Sequence, residues 1–177
     1  WGLFADHPFL KGEVVAEYVG EYIGNPVADA REKMYREMRI QDYQFRVAHN
    51  LVIDATLKGG HARYINHNCN PNCVARIIDG DEPNRHLKRV IIIAQRDIEA
   101  REEITYDYQF PLEPDLDSRI PCNCGSDVCR GFMNWDLPEK GLNIVPEGND
   151  DIREMIRDRS NDGIGRVARH DTATPNC

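Results

Sequence analysis

No apolar stretch in this chain approaches the roughly eighteen residues that a membrane span requires, and no basic-then-apolar leader stands at its start. Neither a bilayer-crossing segment nor a secretory signal is therefore expected, although any targeting segment of a longer parent would lie upstream of Trp1. Positive charge is short as well: 22 Lys and Arg face 30 Asp and Glu, for a formal net charge of −8. Nucleic-acid surfaces rely on clustered cations, so a phosphate-neutralising face is not expected, and a cationic partner suits the charge better. Internal repeats and low-complexity blocks are missing too, which removes repeat arrays. What remains is 177 residues at 41% hydrophobic content, enough for one modest core with an appendage.

Six cysteines are unevenly placed, with Cys69 and Cys73 mid-chain, Cys122, Cys124 and Cys129 crowded together, and Cys177 at the end. Disulfide pairing among three thiols so close would strain the chain, and with no leader in view, zinc in a reducing compartment is the better reading. A closed structural zinc site takes four ligands, so the C-x-C-x4-C cluster needs one more from elsewhere. Cys69, Cys73 and His67 all stand as candidates at this point, and His67 has the further alternative of a structural core histidine.

Short apolar runs between turn signals predict strands at 14–19, 43–47, 51–53, 74–78, 90–94 and 103–106. The pair 74–78 and 90–94 reads as a hairpin with a long exposed loop holding Gly80, Pro83 and Asn84. One helix is predicted from about Ala28 to Met38, with Asp29 near its start and Ala30, Met34 and Met38 on one face. Pro111 to Pro121 reads as a linker that returns the cysteine cluster to the body. Past Pro138, Gly, Asn, Asp and Arg dominate; a mobile tail is expected there, with one candidate helix near 151–159. The expected fold class is β-rich α+β in three parts: 1–110, a linker and metal knuckle over 111–134, and the tail over 135–177.

The densest segment is Arg63-Tyr64-Ile65-Asn66-His67-Asn68-Cys69-Asn70-Pro71-Asn72-Cys73, where polar and thiol positions follow apolar anchors. Taken alone it reads equally well as an Asn-rich turn. Its company changes that reading. Upstream stand Gly2-Leu3-Phe4-Ala5 and Glu17-Tyr18-Val19-Gly20-Glu21; downstream stand Ile104-Thr105-Tyr106-Asp107-Tyr108 and Cys122-Asn123-Cys124-Gly125 with Cys129-Arg130-Gly131. In this order, over Trp1 to about Asn134, the pieces resemble the SET family with its post-SET cysteine module. Arg-Tyr-Ile-Asn-His-Asn-Cys is similar to the family's Arg-Phe-Ile-Asn-His-Ser-Cys, and Thr-Tyr-Asp-Tyr to its second signature. An insert with Arg31-Glu32-Lys33 and Tyr35, then Val52-Ile53-Asp54-Ala55-Thr56, and then Pro121-Cys122-Asn123-Cys124-Gly125 most resemble the trithorax/SET1 group.

That resemblance implies a SET fold of several small antiparallel sheets with a short helical insert, a knot-like active-site crossing and a post-SET zinc knuckle. It implies methyl transfer from S-adenosylmethionine to a protein lysine, with the histone H3 tail as partner and lysine 4 of that tail as substrate. Tyr108 aligns with the tyrosine called catalytic. Tyr106 aligns with the position that limits product state, where a hydroxyl favours mono- and dimethylation. Cofactor contacts are implied at Trp1, Gly2, Leu3, Tyr43, Arg63, Asn66, His67 and Asn123. Zinc ligation is implied at Cys69 with Cys122, Cys124 and Cys129, with Cys73 as the competing fourth ligand or else a small buried thiol. Accessory WD-repeat and SPRY-domain subunits acting on the insert around Arg31 to Arg39, and a nuclear location on chromatin, follow from the same resemblance.

The reaction needs a neutral lysine amine aligned with the methyl group and shielded from water. Burial beside a sulfonium lowers the amine pKa, so no strong base is obligatory, and a narrow aromatic-walled channel suffices. Departures from the family pattern are Asn68 in place of serine, Arg101 where a tight turn usually has glycine, a longer hairpin loop, and the residues past Asn134. The competing readings are a methyltransferase for another lysine, a catalytically silent peptide-binding SET module, and a zinc-dependent nucleic-acid binder, the last disfavoured by the charge.

Overall fold

The structure, a computed structural model, describes residues 1–84 and 86–134 and the backbone of 166–168. The candidate helix near 151–159 and the terminal Cys177 lie outside the described residues. The chain opens with β1 (Gly2–Phe4), β2 (Val14–Tyr18) and β3 (Glu21–Ile23), then the helix α1 (Asn25–Met38), then β4 (Gln44–Ala48) and β5 (Leu51–Asp54). A 3₁₀ turn at His61–Tyr64 leads to β6 (Asn66–His67), the hairpin β7 (Cys73–Asp79) and β8 (Lys88–Ala94), and β9 (Thr105–Tyr106). A second 3₁₀ turn, Leu116–Ser118, precedes the cysteine cluster, and β10 (Arg166–Ala168) follows far along the chain.

Three of these strands form the sheet β2-β8-β7, and three form β3-β5-β4, all antiparallel. β8 is central and covered on both faces, which explains its unbroken apolar run: Val90, Ile91 and Ile92 are fully buried. Each such side chain contributes about 1.5–3 kcal/mol by leaving water. The hairpin strands are longer than predicted, running to Asp79 and Lys88, which are cross-strand partners joined by a salt bridge. β1 pairs antiparallel with β10, Gly2 opposite Ala168.

The helix begins earlier than predicted because Pro26 occupies its first turn, where a missing N–H is not needed. Its rotation also differs. The buried positions are Ala28 and Tyr35, while Met34 and Met38 are 39% and 58% exposed. Polar pairing sets this orientation: Arg31 and the Tyr35 hydroxyl both reach the buried carboxylate of Asp54 on β5, at 2.7 and 2.8 Å. Gly20 packs onto the same strand, since a Cβ there would lie 2.5 Å from the Asp54 carbonyl oxygen.

Two segments distant in sequence cross beneath the site. β6 and β9 run parallel, Asn66 opposite Thr105 and His67 opposite Tyr106. Asn72, 2% exposed, acts there as a substitute for strand backbone. Its amide oxygen accepts the Thr105 N–H at 2.9 Å, and its amide nitrogen donates to the Glu103 carbonyl at 2.8 Å and the Glu102 carboxylate at 2.9 Å. Arg101 keeps the left-handed backbone that glycine favours, with φ 71°, and its N–H donates to the Ala5 carbonyl at 2.7 Å. The turn is therefore retained without the glycine, at a cost of about 1 kcal/mol.

Candidate active site and metal centre

Aromatic side chains from separate strands form a continuous row through this crossing. Tyr18 of β2 lies 5.3 Å from Phe45 of β4 between ring centroids, and Phe45 lies 6.2 Å from Tyr106 of β9. Tyr106 is 4.9 Å from Tyr108, which is 5.5 Å from Phe110. The Tyr108 hydroxyl donates to the Ile65 carbonyl at 2.7 Å. Burial raises the pKa of both Tyr106 and Tyr108 above the ordinary tyrosine value, so both remain protonated.

Tyr43 stands beside this row. Its carbonyl accepts from the Tyr18 hydroxyl at 3.0 Å, and its ring meets Tyr64 edge-on at 5.8 Å. Arg63 braces the pair, with its guanidinium 5.9 Å from the Tyr43 centroid and 4.8 Å from that of Tyr64. One Arg63 nitrogen donates to the Ala55 carbonyl at 2.9 Å and another to the Tyr64 hydroxyl at 2.8 Å. The buried Nε of Arg63 has no acceptor among the described residues.

The chain start is tied to the signature segment through Asn66. Its amide donates to the Trp1 carbonyl at 2.9 Å and to the Glu103 carboxylate at 2.7 Å. Glycine at position 2 permits this approach, since a Cβ would lie 2.5 Å from that carboxylate oxygen. Leu3 is fully buried in the core.

His67 links the tyrosines to the cysteines. Burial, with Arg130 nearby, lowers its pKa against the opposing influence of Asp107, so the ring is neutral. Nδ1 accepts the Tyr108 N–H at 3.2 Å, which leaves the proton on Nε2, 3.4 Å from the Cys69 sulfur. Arg130 closes a second connection: its side chain donates to Asp107 at 2.8 Å and its backbone N–H to the Cys69 sulfur at 3.5 Å.

The sulfurs of Cys69, Cys122, Cys124 and Cys129 lie within 4.8 Å of one another, with Cys69 and Cys122 at 3.7 Å. A tetrahedral zinc bound by thiolates sets its sulfurs about 3.8 Å apart, so the donor set fits that ion. Against the cost of burial, backbone donors hold the Cys124 thiol below its usual pKa, whereas burial raises that of Cys69 and pushes Cys122 up to about 12. Cys73 is fully buried in the main core, and burial pushes its thiol up to about 12; it is not one of the four clustered sulfurs. Asn123 is exposed between two of them.

Of the residues singled out from the sequence, Tyr106, Tyr108, His67 and Cys69 are joined directly, as are Trp1, Gly2 and Asn66, and Tyr43 with Arg63. Sequence reasoning missed Glu103, Asp107, Arg130 and Tyr18 as parts of the site. Asp107 and Arg130 stood inside quoted motifs, and Glu103 directly preceded one; only their meeting in space shows what they bind.

A β-rich domain of small sheets, with an aromatic row at a parallel crossing and a four-thiol knuckle alongside, defines the class. The SET domain pattern matches residues 1–109, more than half of the chain, and the chain belongs to the SET domain family. Similar curated relatives include a protein of Aspergillus oryzae named histone-lysine N-methyltransferase, H3 lysine-4 specific, 51% identical over 135 residues. Human histone-lysine N-methyltransferase SETD1B is 49% identical over 135 residues. Each alignment covers 76% of this chain but 11% of the Aspergillus protein and 6% of the human one, so the chain spans a small part of these relatives. Among the described residues, no helix is long and apolar enough to cross a membrane.

Proposed function

We propose that this chain is the catalytic SET domain of a protein-lysine methyltransferase acting from S-adenosylmethionine on lysine 4 of the histone H3 tail. The observation that carries the reading is the aromatic row running through Tyr106 and Tyr108, with the Tyr108 hydroxyl and the Ile65 carbonyl 2.7 Å apart at the parallel crossing. The relatives' names supply the histone and its lysine, and the acidic net charge of −8 suits a basic tail.

When bound, S-adenosylmethionine supplies the methyl group. The backbone around Trp1 to Leu3, the amide of Asn66, His67, Tyr43, the unpartnered Nε of Arg63 and Asn123 are the groups that would hold it. The aromatic walls exclude water and disfavour a charged amine, which raises the fraction of neutral lysine. Tyr108, protonated because it is buried, orients that amine and stabilises charge beside the transferring methyl. Tyr106 narrows the space for added methyls, so mono- and dimethyl products are expected. Zinc held by Cys69, Cys122, Cys124 and Cys129 would act as a structural crosslink.

The exposed Val27, Met34 and Met38 on α1 support the accessory WD-repeat and SPRY-domain subunits as docking partners for the insert. Work on chromatin in the nucleus follows from the substrate. The test is a methylation assay with labelled cofactor on H3 tail peptides, one intact and one with alanine at the fourth-position lysine, with products counted by mass spectrometry. Label is expected in the intact peptide alone, and Tyr108→Phe should lower kcat by about 10²–10³-fold. A folded, zinc-loaded protein that labels neither peptide, even with accessory subunits present, would overturn the reading.

A further inference from the structure

A chain of hydrogen bonds runs from α1 to the backbone of Tyr43, and Asp54 is its centre. The Asp54 carboxylate is fully buried, and such a group is costly unless its oxygens are well supplied with donors. One oxygen accepts from Arg31 at 2.7 Å and the Tyr35 hydroxyl at 2.8 Å, both on α1. The other accepts the Thr56 N–H at 3.0 Å. The Thr56 hydroxyl oxygen then accepts the Tyr43 N–H at 3.0 Å, and Ala55 donates its N–H to the Tyr43 carbonyl at 2.9 Å. Residues 54–56 thus grip the Tyr43 backbone from both sides, while the carboxylate ahead of them is held by the helix. Against burial, which works the other way, these donors keep the Asp54 pKa below the usual carboxylate value, so the acceptor remains charged. Gly20 sits close over the Asp54 carbonyl, where a Cβ would lie 2.5 Å from its oxygen.

The Thr56 N–H on the second oxygen closes an Asx turn, the local motif by which an aspartate shapes the two residues that follow it. The carboxylate divides its two oxygens between the helix and the loop that grips Tyr43. We propose that Asp54, acting with Thr56, is a positioning residue for methyl transfer: it sets the Tyr43 backbone according to the seat of α1. The inference rests on the reading that Tyr43 borders the cofactor and lysine site. It makes affinity for the cofactor depend on a helix that does not itself touch Tyr43 through any of these bonds.

The experiment is a double-mutant cycle with Tyr35→Phe, which removes only a hydroxyl, and Thr56→Val, which keeps the branched shape but removes the acceptor. kcat, KM for the cofactor and the hydrogen-exchange rate of the Tyr43 amide are measured for wild type, both single variants and the double. Ile91→Val, a core change of comparable stability cost on β8, is the control. Each single variant should raise KM about five- to tenfold and speed Tyr43 exchange by about tenfold. The double variant should be no worse than the more severe single one, because both cut the same chain. The control should lower the thermal midpoint without changing KM or Tyr43 exchange. Multiplying penalties in the double variant, or a Tyr43 amide that ignores Tyr35→Phe, would overturn the inference. A wild-type protein that transfers no methyl group counts against the methyltransferase reading instead, and the Tyr43 exchange rates still decide the relay.

Discussion

The β8 strand and the cysteine knuckle hold their backbones in place by different means. On β8, Val90, Ile91 and Ile92 are fully buried, and the strand is fixed by apolar surface removed from water and by pairing on both edges. Between Pro121 and Asn134 the buried side chains are Cys122 and Asn134, while Val128 is 62% exposed. Four sulfurs and a few hydrogen bonds hold that segment, among them the Asn134 amide, which donates to the Pro111 carbonyl at 2.9 Å and accepts the Ile120 N–H at 2.7 Å. The first region needs no ligand to stand. The second, on the proposed reading, takes its order from a bound zinc, and it sends Arg130 to Asp107, between Tyr106 and Tyr108. On that reading, stability and site assembly have separate sources in this fold.

The largest effect that separates the two is loss of the metal. Chelation, or Cys122→Ser, should remove bound zinc and abolish cofactor binding by calorimetry, while far-UV circular dichroism from the sheets persists. The reverse change is Ile92→Ala, which should cost about 2–5 kcal/mol of unfolding free energy in denaturant titrations and leave one zinc per chain. Cys73→Ala tests which region that thiol belongs to. A core role gives a loss of about 1 kcal/mol with full zinc content, and a drop in zinc would move Cys73 into the knuckle. The smallest expected effect is at Arg101. Replacement by glycine relieves a left-handed backbone at φ 71° and should stabilise the fold by at most about 0.5 kcal/mol once the glycine's added chain entropy is counted, read as a slightly raised thermal midpoint.

The β7–β8 hairpin was legible because its short apolar runs and flanking turn residues are local signals. The rotation of α1 was not. Met34 and Met38 suggest a buried face, but the helix is seated by Arg31 and Tyr35 on a carboxylate at position 54, and no local periodicity encodes that pairing. The two-residue strands β6 and β9 are too short for any period, so their parallel register was visible only through the motifs around them. Spacing identified three of the four clustered thiols; the fourth, Cys69, comes from a separate segment and rested on the resemblance. The neutral state and tautomer of His67 follow from burial and from the Tyr108 N–H, neither of which is written in the motif.

The most direct test of the division between a self-sufficient sheet core and a metal-dependent knuckle is hydrogen exchange, followed residue by residue in zinc-loaded and zinc-stripped protein, with cofactor binding measured on the same samples. Stripping should deprotect 121–134 and the Tyr108 amide and abolish cofactor binding, while the amides of β8 keep their protection. Deprotection of β8 together with the knuckle, or cofactor binding that survives zinc removal, would contradict it.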